Sequence, residues 1–258
     1  MILESKQALV FAATGAIASG VARTFAREGA HVWLSGRNGA ALEELAGSIR
    51  AAGGVAHFEV VDATNQTDVD EYVARVAEQA SRIDVVFNGI GGRPADLGYP
   101  EPVARLSLEQ FMLPLQHILG STYLTARATG MQMMRQGGGS IITLSATLTG
   151  MTAPNMANIT ATCGAIEALT RSLAGEFGPA GVRVNCVRGS AMPETRTIQE
   201  TFAGQTEILG APAPILPPPL GRPITVAETA ATAAFLASDL ASGMTGQVVT
   251  VCAGQFVG

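Results

Sequence analysis

The sequence predicts a single α/β domain in which helices cover both faces of a parallel β-sheet. Two observations lead to this fold class. Short apolar runs alternate along the chain with longer segments of helical spacing, which is the order expected when parallel strands are joined by helices. The 258 residues contain no internal repeat and no interdomain linker, so we expect one domain that spans residues 1–258.

Each element follows from a local pattern. Apolar runs bounded by turn residues predict seven strands, at 7–11, 30–35, 54–61, 83–87, 140–145, 182–187 and 247–251. Between the strands, apolar residues recur at the spacing of amphipathic helices. The predicted helices cover 15–28, 38–52, 67–81, about 108–135, 155–177 and about 225–238. Together they predict a doubly wound sheet of about seven strands.

Composition excludes several classes of partner. The net charge is −5 and no basic cluster is present, so nucleic acid and anionic membranes are not expected partners. No apolar run approaches the length of a membrane span, and the N-terminus does not resemble a secretory signal. The three cysteines, Cys163, Cys186 and Cys252, lack the spacing of a metal site. We expect reduced thiols, no metal, and a cytoplasmic location.

The first strand-to-helix turn, FAATGAIAS (11–19), is short of glycine. A nucleotide-binding turn needs glycines so that its backbone can approach pyrophosphate at a helix N-terminus. Gly15 is present, but Ala12, Ala16 and Ala18 stand where glycine could be wanted. If one of these alanines must adopt a positive φ, the cost is roughly 1–2 kcal/mol.

Polar residues and glycines follow the next three strands. Arg37 comes just after the second strand, where an arginine suits a ribose 2′-phosphate. Asp62 follows the third strand and could accept from an adenine amine, while Asn88 and Gly89 follow the fourth. A solvated arginine, a capping aspartate and plain turn residues remain the alternatives. Because all of them lie at strand ends, we interpret them as a dinucleotide cleft.

A proline-rich segment, GAPAPILPPPLGRP (210–223), follows the sixth strand. Its prolines exclude regular helix, and ligands of such sheets bind outside the carboxyl ends of the strands. We interpret residues from about 189 to 224 as a substrate lid, with a plain surface loop as the alternative.

The chain as a whole, from about residue 6 to 254, resembles the short-chain dehydrogenase/reductase family. The resemblance rests on EGAHVWLSGRN, VVDATN, RIDVVFNGIGG, GGGSIITLSA, GAIEALTRSLAGEFGPAGVRVNCV and GRPITVAETAATAAFLASDLASGMTGQVVTV. It implies a Rossmann-type domain with a seven-stranded sheet, a nicotinamide cofactor, a small-molecule substrate, and a homotetramer or homodimer. With Arg37 it implies NADP(H). The implied cofactor-binding residues are Gly15, Ile17, Arg37, Asp62, Ala63, Asn88 and Gly89.

The family's catalytic residues are not matched in this alignment. The helix asparagine falls on His117, the serine on Ala146, and the Tyr-x-x-x-Lys pair on Ile159 and Cys163. The chain has a single lysine, Lys6, and no Tyr-x-x-x-Lys in any register. In the family that tyrosine transfers a proton to or from the substrate oxygen, which contributes about 10²–10⁴-fold in rate. Isoleucine cannot replace it.

Three residues remain as candidates for catalysis: Ser145, His117 and Cys163. The family's geometry implies that His117 and Cys163 are close, so that they could form a thiolate or proton-transfer couple; simple core packing of Cys163 is the alternative. Three functions stay open. They are an NADP(H)-linked oxidoreductase with a non-standard site, a non-redox enzyme (cyclisation, elimination or isomerisation), and a non-catalytic subunit, so that no cofactor need bind.

Overall fold

A computed structural model describes residues 1–211 and 217–256. Seven parallel strands form one sheet in the order β3-β2-β1-β4-β5-β6-β7. The strands are β1 (Gln7–Phe11), β2 (His31–Gly36), β3 (Val55–Val60), β4 (Val85–Asn88), β5 (Gly139–Ala146), β6 (Val182–Gly189) and β7 (Val248–Val251). All seven predicted strands are confirmed, and the strand order reverses direction between β1 and β4.

Eight α-helices surround this sheet in the described part of the chain. They are α1 (Ala16–Arg27), α2 (Gly39–Ala51), α3 (Gln66–Ala80), α4 (Leu108–Pro114), α5 (Gly120–Gln136), α6 (Ala157–Phe177), α7 (Arg196–Leu209) and α8 (Val226–Ala237). Four of these helices, α2, α3, α4 and α8, begin at a side-chain cap. Asn65 accepts backbone hydrogen bonds at the start of α3, and Thr225 with Glu228 forms a capping box at α8,.

The core consists of two apolar layers, because alternate side chains of each strand point to opposite faces. Val10 and Val32 pack with α1, α2 and α8 on one face. Leu9 and Ile141 pack with α3, α5 and α6 on the other face. The strands are therefore buried from both sides, as the continuous apolar runs of the sequence predict.

Two regions differ from the sequence-based prediction. The helix predicted at about 108–135 is divided by a π-helical turn, Leu115–Leu119, which begins immediately after Pro114. Helix α7 was not predicted at all. The predicted extended segment 210–223 is described only in part, since residues 212–216 lie outside the described residues.

Candidate functional site

The candidate site lies at the carboxyl ends of the strands, where the strand order reverses between β1 and β4. This is where open parallel sheets bind their ligands. Gly15 and Ile17 begin α1 on one side of this point, and Asn88 and Gly89 end β4 on the other. A Cβ on Gly89 would lie 2.5 Å from the Cβ of Ala18, so the close approach of these two segments requires glycine at position 89.

The N-terminus of α1 is open to an anion. Gly15 is the N-cap in extended conformation, no side chain caps the helix, and its first turn holds no acidic residue. Backbone N–H groups at such a helix end lack intrahelical partners and carry partial positive charge. They form a binding site for phosphate. The amide of Gly15 donates to the carbonyl of Ala12 at 2.9 Å, which closes the turn before the helix.

Ala12 has a φ of +52°, in the left-handed region that favours glycine. The sequence raised this possibility, and the structure confirms it for Ala12. We expect Ala12→Gly to raise the free energy of unfolding by about 0.5–1 kcal/mol. Relief of roughly 1–2 kcal/mol of strain outweighs the greater freedom of glycine in the unfolded chain. Urea denaturation measures the gain.

The control for Ala12→Gly is Ala231→Gly, at an exposed position in the middle of α8. There the substitution should lower the free energy of unfolding by roughly 0.5–1 kcal/mol. Equal losses at both positions would contradict the strain assigned to Ala12.

Arg37 and Asp62 lie at the ends of β2 and β3. Arg37 is exposed, and its side chain makes no hydrogen bond or salt bridge to a described residue. Asp62 accepts from the backbone and hydroxyl of Thr64 at 2.9 and 2.7 Å. These two hydrogen bonds, and then the charges of Arg37 and His117, lower the pKa of Asp62. Asp62 thus closes a turn with Thr64, while the cap of α3 is Asn65, and Arg37 remains available to a ligand. Ala63, the next predicted residue, packs against the core.

His117 lies in the middle of the π-helical turn between α4 and α5. Such turns occur frequently at functional sites. Its carbonyl accepts a hydrogen bond from Ser121. Its imidazole is half-buried and makes no hydrogen bond to the described residues. The charge of the ring is the smallest of the contributions that lower the pKa of Asp62.

Cys163 and Ile159 are buried on α6, in an apolar cluster with Tyr99 and Met156. Burial, with smaller effects of Cys186 and Glu167, raises the pKa of the Cys163 thiol to about 12. The thiol is therefore neutral near pH 7. Within the described residues no hydrogen bond joins Cys163 to His117. Cys163 packs in the apolar cluster with Ile166 and Cys186, which is the core-packing alternative, and the Cys–His couple stays a prediction.

Ser145 belongs to a buried polar network that the sequence analysis missed. Its hydroxyl donates to Glu167 Oε1 at 2.9 Å. Arg188, from the end of β6, donates to both oxygens of the same carboxylate at 2.9 and 2.8 Å. Thr149 adds a fourth hydrogen bond at 3.0 Å. The hydroxyl of Ser145 is thus already committed to a carboxylate beneath the cleft.

The electrostatics of Glu167 follow from its partners. Burial by itself would raise the pKa of Glu167, but the hydrogen bonds from Arg188, Ser145 and Thr149 together outweigh burial and lower it. The guanidinium of Arg188 also lies 5.0 Å from the ring centre of Phe256. A sequence signal for this pair did exist. Arg188 directly follows the apolar run VNCV, and Glu167 lies one helical turn after Cys163 on the same face of α6.

No phenol and ammonium converge on the cleft. Lys6 precedes β1 and bonds Asp239 at 2.9 Å, at the opposite edge of the sheet. Tyr72 is on α3 and is buried against the sheet, and Tyr123 is exposed on α5. Tyr99 alone lies in the apolar cluster beside Cys163. The tyrosines and the lysine therefore do not rebuild a Tyr–Lys pair.

Helix α7 lies across the carboxyl edge. Gln205 donates to the carbonyl of Pro154 at 2.8 Å and accepts from Asn155 at 3.0 Å. Glu200 bonds Arg93, from the loop after β4, at 3.2 Å. These contacts hold the segment expected to be a lid against the loops that follow β4 and β5.

Comparisons with known proteins place the chain in a family. Residues 12–255 match the family model described as enoyl-(acyl carrier protein) reductase. The 7α-hydroxysteroid dehydrogenase of Clostridium sardiniense is 29% identical over 99% of this chain and 95% of its own length. A (5R,7aS)-5-hydroxy-7a-methyl-1-oxo-2,3,5,6,7,7a-hexahydro-1H-indene-carboxyl-CoA reductase of Mycobacterium tuberculosis is 32% identical, covering 97% and 93%. The chain therefore belongs to the short-chain dehydrogenase/reductase family, and these relatives are oxidoreductases.

Solved structures agree with this assignment. A 7α-hydroxysteroid dehydrogenase in complex with NADH and 7-oxo glycochenodeoxycholic acid has a TM-score of 0.87 at 25% identity, covering 98% of this chain and 94% of its own. An NAD⁺-bound xylitol dehydrogenase has a TM-score of 0.88 at 26% identity, covering 98% and 100%. These neighbours thus bind a nicotinamide cofactor. In the described part of the chain, no group of residues could hold a metal ion, and no helix is long and apolar enough to span a membrane.

Proposed function

We propose that this protein is an NADP(H)-linked oxidoreductase of the short-chain family whose active site is non-standard. The observation that carries the proposal is the pairing of two anion sites at the cleft. The open N-terminus of α1 suits the pyrophosphate. The unengaged guanidinium of Arg37 suits the ribose 2′-phosphate.

The remaining residues of the cleft fit the same cofactor. Asn88 accepts from Thr125 at 2.8 Å, while its own buried Nδ2 has no partner among the described residues. The site therefore offers an unpaired N–H donor for a hydrogen bond to a ligand. Asp62, Ala63 and Gly89 would bound the adenosine and ribose parts of the dinucleotide. When bound, the nicotinamide supplies or accepts the hydride of the reaction.

The proton at the substrate oxygen needs a different group. Ser145 already donates to Glu167, and Cys163 is a neutral, buried thiol. His117 lies in the π-helical turn and has a half-buried imidazole without a hydrogen bond to the described residues. We therefore assign to His117 the transfer of this proton, since an imidazole can donate or accept near neutral pH. Helix α7, as part of the lid at about 189–224, would exclude water.

Cofactor titration tests the proposal. The expected result is binding of NADPH about 10–100-fold tighter than NADH, as the loss of charge-assisted hydrogen bonds to the 2′-phosphate costs about 1.5–3 kcal/mol. Arg37→Gln should remove that preference and leave NADH binding unchanged. Quenching of the fluorescence of Trp33, the single tryptophan, or calorimetry measures both constants.

Arg135→Gln serves as the matched control, because Arg135 is exposed at the end of α5, where its one side-chain bond among residues 1–211 and 217–256 is to Gln132. It should bind both cofactors as the wild type does. Equal affinity for NADPH and NADH in the wild type would rule out the NADP(H) assignment. Absence of binding to either would rule out the oxidoreductase.

A second candidate function is a non-catalytic subunit or a non-redox enzyme on the same scaffold. The burial of Ile159 and Cys163 in an apolar cluster favours it, because the two positions of the family's Tyr–Lys pair then only pack. Turnover of a substrate without nicotinamide, or co-purification with an active homologue, would support this candidate over the first.

A further inference from the structure

A cavity of about 280 Å³ lies beside β3, the edge strand of the sheet. It is partly open to solvent and is bounded by β2, β3, the end of α2 and helix α3. None of the residues at the candidate cleft lines it. Its polar and aromatic lining side chains are Trp33, Arg50, His57, Glu59, Tyr72 and Gln79.

Tyr72 contributes a buried hydroxyl that has no hydrogen bond. The residue is 1% exposed, and its hydroxyl has no partner among the described residues. The hydroxyl of Ser35 lies nearby, but it donates to the carbonyl of Val10. Burial raises the pKa of Tyr72, so the group remains a phenol that can donate and accept. A buried polar group without a partner is costly, and a ligand in the cavity would supply the partner.

Arg50 contributes an unpaired positive charge. Its Nε donates to the carbonyl of Ala56 at 2.8 Å, which holds the side chain against β3. Within residues 1–211 and 217–256, neither terminal nitrogen of Arg50 makes a hydrogen bond or salt bridge. Glu59, the carboxylate of the described lining, accepts from Nε of Arg75 at 3.1 Å and is already neutralised. The cavity therefore favours an anion, and the planar guanidinium of Arg50 suits a carboxylate.

Two further lining side chains suit hydroxyl groups. The imidazole of His57 stacks on the indole of Trp33, with ring centres 4.2 Å apart. Burial, with smaller effects of neighbouring cationic groups, lowers the pKa of His57. Its ring is therefore neutral near pH 7 and has one donor and one acceptor. The amide of Gln79 also has both kinds of group, and it bonds no residue in the described part of the chain.

We propose that this cavity binds a small hydroxy acid, with its carboxylate at Arg50 and its hydroxyl groups at Tyr72, His57 and Gln79. A cavity of about 150 Å³ holds benzene, so the larger volume here accommodates a carboxylate on a hydroxylated chain of roughly six carbons. The site is separate from the cleft, and it stands whether or not the protein binds a nicotinamide cofactor.

Calorimetric titration of gluconate into the full chain, with and without NADPH, tests the proposal. Sorbitol has the hydroxyl groups of gluconate without the carboxylate, and hexanoate has the carboxylate without the hydroxyl groups. Gluconate should bind at least about tenfold tighter than either compound, because each loses one set of hydrogen bonds. Trp33 is the single tryptophan and lines the cavity, so its fluorescence without NADPH should change on gluconate binding.

Arg50→Gln should weaken gluconate binding about 10–100-fold, as expected for the loss of charge-assisted hydrogen bonds. It should leave the weaker binding of sorbitol unchanged. The matched control is Arg171→Gln, because Arg171 is exposed on α6 and its side chain bonds no described residue. This control should bind gluconate as the wild type does.

Tyr72→Phe distinguishes a hydroxyl that binds a ligand from one that supports the fold. The substitution keeps the ring and removes only the unpartnered group. It should weaken gluconate binding about 2–10-fold, while urea denaturation without ligand shows no loss of stability. Lower stability with unchanged gluconate binding would assign the hydroxyl a structural role and contradict the site.

Three results would overturn the inference. They are absence of gluconate binding, binding no tighter than that of sorbitol or hexanoate, and binding that Arg50→Gln leaves unchanged. The last of these would place gluconate elsewhere on the protein. Failure of NADPH to bind removes the proposed oxidoreductase but leaves this site intact, so the two proposals fail separately.

Discussion

Replacing Arg188 by methionine is expected to lower the free energy of unfolding by about 3–5 kcal/mol, because it leaves the carboxylate of Glu167 buried without its counter-charge. Glu167 and Arg188 have side chains only 7% and 12% exposed, so water cannot replace the lost partner. Methionine retains most of the volume of the arginine stem, so the loss reports the charge more than the packing. Urea denaturation gives the free-energy difference.

The double variant Glu167→Met with Arg188→Met removes the whole ion pair and leaves no buried charge without a partner. It should recover most of the lost stability, since it removes both charges together. Arg105→Met provides the exposed counterpart. Its salt bridge to Glu101 has an arginine side chain 64% exposed, and its loss should cost less than about 1 kcal/mol. A single Arg188 variant as stable as the wild type would contradict the assigned role.

The same pair makes a prediction for acid. Because the folded-state pKa of Glu167 lies below its ordinary value of 4.5, the pair stabilises the protein fully above pH 4.5, and this contribution is lost as the pH falls through the lowered pKa. The double methionine variant lacks that contribution. Its stability should therefore fall less steeply than that of the wild type below pH 4.5, which denaturation across a pH series would show.

Ala16→Asp is expected to weaken NADPH binding by roughly 100-fold while it slightly stabilises the fold. Ala16 is exposed in the first turn of α1. A carboxylate there interacts favourably with the helix N-terminus by about 0.3–1 kcal/mol. It also repels the pyrophosphate, and two like charges at about 4 Å interact by up to roughly 4 kcal/mol near a protein surface. Thermal unfolding and cofactor titration therefore respond in opposite directions.

Ala16→Asn is the matched control for Ala16→Asp, because asparagine has the same shape without the charge. It should reduce NADPH affinity only a few-fold. Unchanged NADPH binding by Ala16→Asp would show that the cofactor phosphate does not lie at the start of α1, and the proposed function would lose its main support.

The sheet could be predicted because its strands are buried from both faces and appear as continuous apolar runs. Helix α7 could not, since its apolar residues are sparse between polar ones. The π-helical turn escaped prediction for a different reason. Pro114 is the only local signal, and it is compatible with several helix distortions.

The candidate site likewise contains some residues whose place the sequence predicts and others whose place it does not. Arg37 and the start of α1 follow from strand ends, which the sequence locates. The partnership of Glu167 with Arg188 depends on the lateral pairing of β5 with β6, where Ser145 is opposite Arg188. The sequence shows that Arg188 ends an apolar run and that Glu167 follows Cys163 by one helical turn, but it does not show the strand register that brings the two side chains together. The environment of Cys163 likewise depended on how tightly Tyr99 and Met156 pack against α6.

The position of Lys6 has a practical consequence for the experiments above. The sequence contains one lysine, Lys6, and its amine lies before β1, at the end of the sheet remote from the cleft. Amine coupling to a sensor chip would therefore attach the protein through the side opposite the cleft. Copies immobilised through Lys6 would present the candidate cleft to the flowing solution in a similar orientation.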